Sequence, residues 1–239
     1  MEVKLVGTGG IFSPLNSACA IINKHILIDI PNGSLKAMRR NGICITGIDT
    51  IFLTHLHGDH YFDIPFLLLE KYKDEKNELT IVGPENAKNN IETITALAFP
   101  YAAKKIFKNI KINYIVATEG LVVDNITFSS LPMRHGMEAY GYILKEDKFK
   151  LGFTGDTAIC DSVNKMLNEC NKVVIDSTFE VGTNTHLGIN EILMLLKKYP
   201  NTTLIPTHMG KKEKKILSFQ SFDNLEILDD MSDVDISKK

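Results

Sequence analysis

Short β-branched runs open the chain. EVKLVG, ACAIIN and HILIDI are separated by turn residues at GTGG, SPLNS and Asn23-Lys24, which predicts an antiparallel meander. GSLKAMRRN (33–41) predicts a helix stopped by Gly42, and the strand DTIFLT follows. YFDIPFLLLEKYKDE turns helical beyond Pro65, ELTIVG predicts a strand ending at Gly83-Pro84, and residues 85–109 predict one or two helices interrupted near Pro100. NIKINYIVA, GLVVDNITFSSLPM, AYGYILKED and KFKLGFTGD alternate apolar and polar positions as a second meander. SVNKMLNECN, KVVIDS, INEILMLLKKY and TTLIPT then close the core in β-α-β-α-β order. Two similar halves of this kind predict a single α/β domain over residues 1–228, with helices covering the outer faces of two packed sheets. The remaining stretch, 229–239 (DDMSDVDISKK), is polar enough to predict disorder.

Composition narrows the class. A chain of 239 residues can bury a substantial core without disulfide staples, and a net charge of −2 supplies no global basic field for gripping a long polyanion. Cys19, Cys44, Cys160 and Cys170 show no CxxC spacing, and MEVKLVG enters a strand pattern directly, so a reduced cytoplasmic protein is expected. No apolar run approaches the roughly 20 residues of a membrane span, and no membrane partner is expected.

The chemistry concentrates in THLHGDH, residues 54–60, behind the apolar run IDTIFL. His55 and His57 are two apart, so on an extended strand end they point the same way. Gly58 is expected to permit a sharp turn that swings Asp59 and His60 toward the same pocket. Burying so many polar groups at one strand terminus is costly unless they bind a metal. His135, Asp156, His186 and His208 each sit at a strand exit with glycine within two residues. Taken singly, His135 and His208 read equally well as turn residues and Asp156 as a helix cap. His25, in NKHILI, has no such companions and reads as a surface strand residue.

Together these segments resemble the metallo-β-lactamase superfamily, and within it the ribonuclease Z-like phosphodiesterases. The resemblance runs from KLVGTGG through IDIPNGSL and IFLTHLHGDHYFDIP to HGMEAYGYIL, FTGDT, DSTF, the His186 segment and PTHMG. It implies an α/β fold, the αββα four-layer sandwich, with metals at one edge. Carried over residue by residue, His55, His57 and His135 would hold one Zn2+, Asp59, His60 and His208 a second, and Asp156 would bridge them. Mn2+ or Fe2+ are alternatives. Two such metals lower the pKa of a bridging water and clamp the oxygens of an in-line displacement, so a metal-bridging hydroxide is the expected nucleophile. Asp59 is also placed for general-base work. His186 matches a non-ligand histidine that contacts the scissile phosphate or protonates the leaving oxygen, with Asp176 orienting it.

Only twenty residues separate His135 from Asp156, where the tRNA-processing members of the family usually insert a tRNA-gripping arm. The expected function is therefore a metal-dependent hydrolase acting on a small phosphodiester or nucleotide, such as a cyclic nucleotide or RNA fragment. RNA as a large partner is not favoured, and the resemblance allows a homodimer. Alternatives are tRNA 3'-end processing, thioester or lactone hydrolysis, and nucleotide sensing by a metal-loaded protein without turnover. Arg134 and GKKEKK (210–215) are candidate anion contacts, the latter reading more readily as a solvated helix start.

Overall fold

A computed structural model describes residues 1–73, 78–118 and 120–237. The first half runs β1 (Val3–Gly7), β2 (Cys19–Ile22), β3 (Ile26–Ile28), α1 (Ser34–Arg40), β4 (Thr50–Phe52), α2 (Gly58–Tyr61), α3 (Ile64–Lys71), β5 (Glu78–Gly83), α4 (Ala87–Ala98), α5 (Ala103–Asn109) and β6 (Lys111–Val116). The second runs β7 (Leu121–Val123), β8 (Ile126–Pro132), β9 (Tyr140–Glu146), β10 (Phe149–Phe153), α6 (Asp161–Glu169), β11 (Lys172–Asp176), α7 (Ile189–Lys198), β12 (Thr203–Thr207), α8 (Lys211–Ser218) and β13 (Ser232–Asp233). One sheet has the order β13-β1-β2-β3-β4-β5-β6, the other β12-β11-β10-β9-β8-β7.

Period-two alternation along the strands separates three apolar layers. In β2, Ala20 and Ile22 face the second sheet while Cys19 and Ile21 face the helices; in β11, Val174 faces inward while Val173 and Ile175 turn to α6 and α7. The inner layer is anchored by Phe52 stacked on Phe128, ring centroids 4.1 Å apart. Helices therefore flank two face-to-face sheets, giving four layers, α-β-β-α. Among the described residues no helix is long and apolar enough to cross a membrane.

Three local expectations change. NIKINYIVA, expected in the second meander, is β6 and pairs parallel with β5 at the edge of the first sheet, so the second meander begins at β7. Alternation tells which faces a strand buries but not which neighbour it pairs with. The stretch from Asp229, expected to be disordered, is placed through residue 237. Its β13 pairs antiparallel with β1, Val234 is buried, and Asp230 accepts bonds from Thr8 N (2.9 Å) and Asn16 N (2.7 Å). Its polar residues find partners in the loop between β1 and β2, which composition does not reveal. His25 lies in the β2–β3 turn, not in a strand, and bridges Asp49 (2.9 Å) and Asp124 (2.6 Å). The end of the predicted helix at Asp74 and Glu75 falls outside the described residues, as do Lys238 and Lys239.

In the first sheet β3, β4 and β5 are mutually parallel; in the second, β10, β11 and β12 are parallel, and β8 shares their direction because both it and β10 are antiparallel to β9. Their carboxyl ends meet at one edge of the sandwich, the place where parallel strands leave room for a ligand.

Candidate active site

Five of the seven residues singled out for metal chemistry lie just beyond these carboxyl ends, and Asp59 and His60 follow in α2. His55 and His57 follow β4, His135 follows β8, Asp156 follows β10, and His208 follows β12. Two bonds hold the sheets in register there: Tyr140 N donates to Thr54 O (2.8 Å) and the buried Tyr142 hydroxyl to Leu53 O (2.7 Å). Gly155, at φ 59°, precedes Asp156, and a Cβ there would lie 2.7 Å from Thr54 Cβ. The glycine lets the second sheet's loop approach the first closely enough to place Asp156 between the histidines.

Gly58 stands at the expected turn, as the first residue of the following helix. It has no left-handed φ; instead the chain turns by starting α2, and a Cβ on Gly58 would meet the Phe62 ring at 2.7 Å. Asp59 and His60 still face the site, because successive residues of this helical turn project them past that ring.

The donors form two groups that share Asp156. His57 Nδ1 lies 3.0 Å from His55 Nε2 and 3.2 Å from His135 Nε2, and Asp156 Oδ2 is 3.7 Å from His55 Nε2. On the other side, Asp156 Oδ2 is 3.4 Å from His60 Nε2 and 3.5 Å from His208 Nε2, while Asp59 Oδ2 is 3.4 Å from His208 Nε2. His55, His57, His135 and Asp156 offer donor atoms within 4.8 Å of one another, as do Asp59, His60 and His208.

The opposite nitrogen of four rings is already engaged. His60 Nδ1 meets Asp29 Oδ2 at 2.8 Å and His135 Nδ1 meets Thr185 O at 2.9 Å. Thr54 Oγ1 donates to Asp29 Oδ2 (2.7 Å) and so accepts from His55 Nδ1 (3.0 Å). Likewise Thr178 Oγ1 donates to Asp176 Oδ1 (2.5 Å) and accepts from His208 Nδ1 (2.8 Å). Each arrangement fixes the ring with its proton on Nδ1 and a lone pair on Nε2 aimed inward. A cation would satisfy lone pairs converging in this way, and His60 Nε2 is buried without a hydrogen bond. Borderline nitrogen and carboxylate donors suit zinc and its divalent neighbours, so the residues fit the metals that the sequence implies.

Electrostatics divide the donors: His55 and His57 are held toward the neutral form, whereas Asp156 raises the pKa of His60 and of His208 against their burial. Burial, reinforced by the neighbouring His60, pushes the His55 pKa well below its usual value; burial, with His135 beside it, lowers that of His57. Burial alone would raise Asp156, but His208 and His60 outweigh it and hold the carboxyl well below the usual range. His208 is itself left-handed, φ 60°, a conformation costing a bulky residue about 1–3 kcal/mol. Met209, fully buried after it, and the bond from Gly10 N to Met209 O (3.1 Å) hold it there.

His186 stands at the rim, with Nδ1 3.0 Å from Asp176 Oδ2 and 3.9 Å from Asp156 Oδ2. Burial opposes its charged form, but the bond to Asp176 outweighs it and raises the pKa. Asp59 is drawn down by His208 against its own burial. In front of these groups opens a cleft of about 830 Å³, bordered by His57, Asp59, His186 and His208 together with Phe12, Phe62 and Phe179. Arg134 is exposed and is not part of its lining; Lys212 pairs with Glu180, beside Phe179, and Lys214 with Asp229, so these members of the lysine run are engaged with carboxylates.

Asp29, Thr54 and Thr178 complete the arrangement and were not marked by the sequence pattern. Asp29 sits in IDIPNG, buried and left-handed at φ 58°, and its carboxylate also accepts from Thr54 N at 2.8 Å. Its only signal was an acidic residue at the end of an apolar strand. Between His135 and Asp156 the chain is the β9–β10 hairpin with a two-residue turn at Asp147 and Lys148.

A family model described as a beta-lactamase superfamily domain matches residues 25–209. The ribonuclease Z of Staphylococcus epidermidis is 33% identical over 124 residues, 50% of this chain and 39% of that protein. The alignment thus spans well under half of that relative's length. The ribonuclease Z of Pyrococcus abyssi is 25% identical over 89% of this chain and 87% of its own. Among solved structures, the short form of human tRNase Z superposes with a TM-score of 0.75 at 18% identity, covering 100% of both chains.

Proposed function

The chain belongs to the beta-lactamase superfamily, and from that premise we propose that it is a binuclear, zinc-dependent phosphodiesterase acting on a small phosphodiester. One observation carries the reading. Seven donors form two groups that share a single carboxylate oxygen, Asp156 Oδ2, with a histidine-carboxylate pair at the rim. His55, His57 and His135 would hold one metal, Asp59, His60 and His208 the other, with Asp156 common to both. When bound, such a pair supplies an acidified water and polarises the phosphoryl oxygens.

The chain's own residues do the rest. Asp59, only partly buried and kept ionised by His208, faces the cleft as the acceptor for a proton from the attacking water. Asp176 Oδ2 accepts a hydrogen bond from His186 Nδ1 and holds the ring so that Nε2 is the atom left for a ligand in the cleft. The same contact favours the imidazolium, which binds a phosphate oxygen and delivers a proton to the departing one. Asp29, Thr54 and Thr178 orient rings without touching substrate. The short β9–β10 hairpin supports a small substrate over a folded tRNA, since no inserted arm extends the surface there.

Metal analysis and turnover of bis(p-nitrophenyl) phosphate test the reading. About two metals per chain are expected, with activity lost by 10²-fold or more in His57→Ala and Asp156→Ala. Metal-loaded protein that cleaves thioesters or lactones but no phosphodiester would overturn it.

A further inference from the structure

The walls of the cleft are aromatic and its lining carries no lysine or arginine among the described residues. Phe12 comes from the β1–β2 loop, Phe62 from the turn after α2, and Phe179 from the segment after β11. They are 97%, 48% and 44% exposed, so none of them is part of the core. Each is nevertheless tied to the donors. Phe62 follows Asp59 and His60 and lies against Gly58; Phe179 adjoins Thr178, and its ring meets that of His186 edge-on at 5.5 Å. The loop bearing Phe12 is closed at its base by Gly9 N to Asn16 O (2.8 Å), and a Cβ on Gly10 would lie 2.8 Å from His208 O. Three separate segments thus hold flat apolar faces around one opening in water, which is unfavourable until something flat covers them.

Charge points the same way. Asp59 and Glu213 are acidic members of the lining, and Lys212 and Lys214 on the neighbouring helix are paired with Glu180 and Asp229. A second phosphate, beyond the one at the donors and His186, would find no lysine or arginine in the lining to balance it.

Building on the phosphodiesterase reading, we infer that the ester group retained on phosphorus carries a flat aromatic ring, a nucleobase or another aryl group, which packs among Phe12, Phe62 and Phe179 while a single phosphate occupies the donors. Phe12 is then a specificity-determining residue. Stacking of this kind is sequence-tolerant and belongs to aromatic platforms generally.

Three esters with the same p-nitrophenolate leaving group separate the retained group from the chemistry: methyl p-nitrophenyl phosphate, bis(p-nitrophenyl) phosphate and thymidine 5'-(p-nitrophenyl phosphate). Phe12→Ala, at a nearly fully exposed position, is expected to lower kcat/KM about tenfold for the esters retaining a ring, to leave the methyl ester within about twofold, and to be rescued by Phe12→Tyr. Loss confined to the thymidine ester identifies a nucleobase; loss shared with the bis-aryl ester identifies aryl groups at large. Equal effects on all three esters, no effect, or a change only in oligomeric state overturns the inference. Calorimetric binding of thymidine 5'-monophosphate to metal-loaded wild-type and Phe12→Ala protein keeps the two readings apart. Phe12-dependent binding with no ester turned over overturns the phosphodiesterase reading alone. Turnover without any Phe12 dependence overturns the rim alone, and the absence of both overturns both.

Discussion

Individual side chains at this site divide into those that announce themselves and those that do not. THLHGDH is legible because three histidines and an aspartate behind an apolar strand have few other reasons to be there. Asp29 is not legible, because one acidic residue before Pro-Asn-Gly has the composition of an ordinary turn. Yet its carboxylate accepts from Thr54 N and Thr54 Oγ1 and holds His60 Nδ1, so it sets the direction of two rings. Asp29→Asn keeps the size and tolerates the left-handed backbone, but the amide loses one acceptor oxygen. Metal affinity is expected to fall about 10–100-fold, read by competition with a chromophoric chelator while circular dichroism stays native. Unchanged affinity would show that Thr54 and the backbone suffice to aim His60. Thr178 escaped notice for a similar reason: its value lies in joining His208 to Asp176, two residues that are distant in the chain.

At the scale of elements, faces were legible and partners were not. The helices broken near Pro100 appear as α4 and α5, and the opening meander is antiparallel as its turns imply. β6 moved to the other sheet because an alternating strand fits either edge equally well until its neighbour is known. The C-terminal segment is the larger change. A run of Asp, Ser and Lys looks solvated, but Asp230 satisfies Thr8 N, Thr8 Oγ1 and Asn16 N at the base of the β1–β2 loop. Asp230→Ala leaves the buried Thr8 donors without that acceptor. A loss of about 1–3 kcal/mol is expected in urea unfolding, with the slope unchanged. Wild-type stability in the variant would mean that β13 pairing alone secures this loop.

For the molecule as a whole, the four-layer architecture was legible because period-two strands flanked by amphipathic helices have few ways to bury both faces. What the pattern could not supply was the seam, where loops from both sheets interdigitate at Gly155 and Thr54 to bring donors from each into one place. The absence of lysine and arginine among the described residues of the cleft lining has a kinetic consequence. With a net charge of −2 on the chain and acidic groups at the opening, positive charge at the cleft is confined to His186 and to the metals its donors would hold, and no lysine or arginine of the lining extends it outward. Attraction of the substrate is then short-ranged, so kcat/KM should vary less than about threefold between roughly 0.05 and 0.5 M salt, whereas an enzyme tracking several phosphates would lose orders of magnitude. A steep decline would reveal an electrostatic approach route elsewhere on the surface; a flat line would mark an enzyme whose encounters are governed by shape and hydration rather than by field.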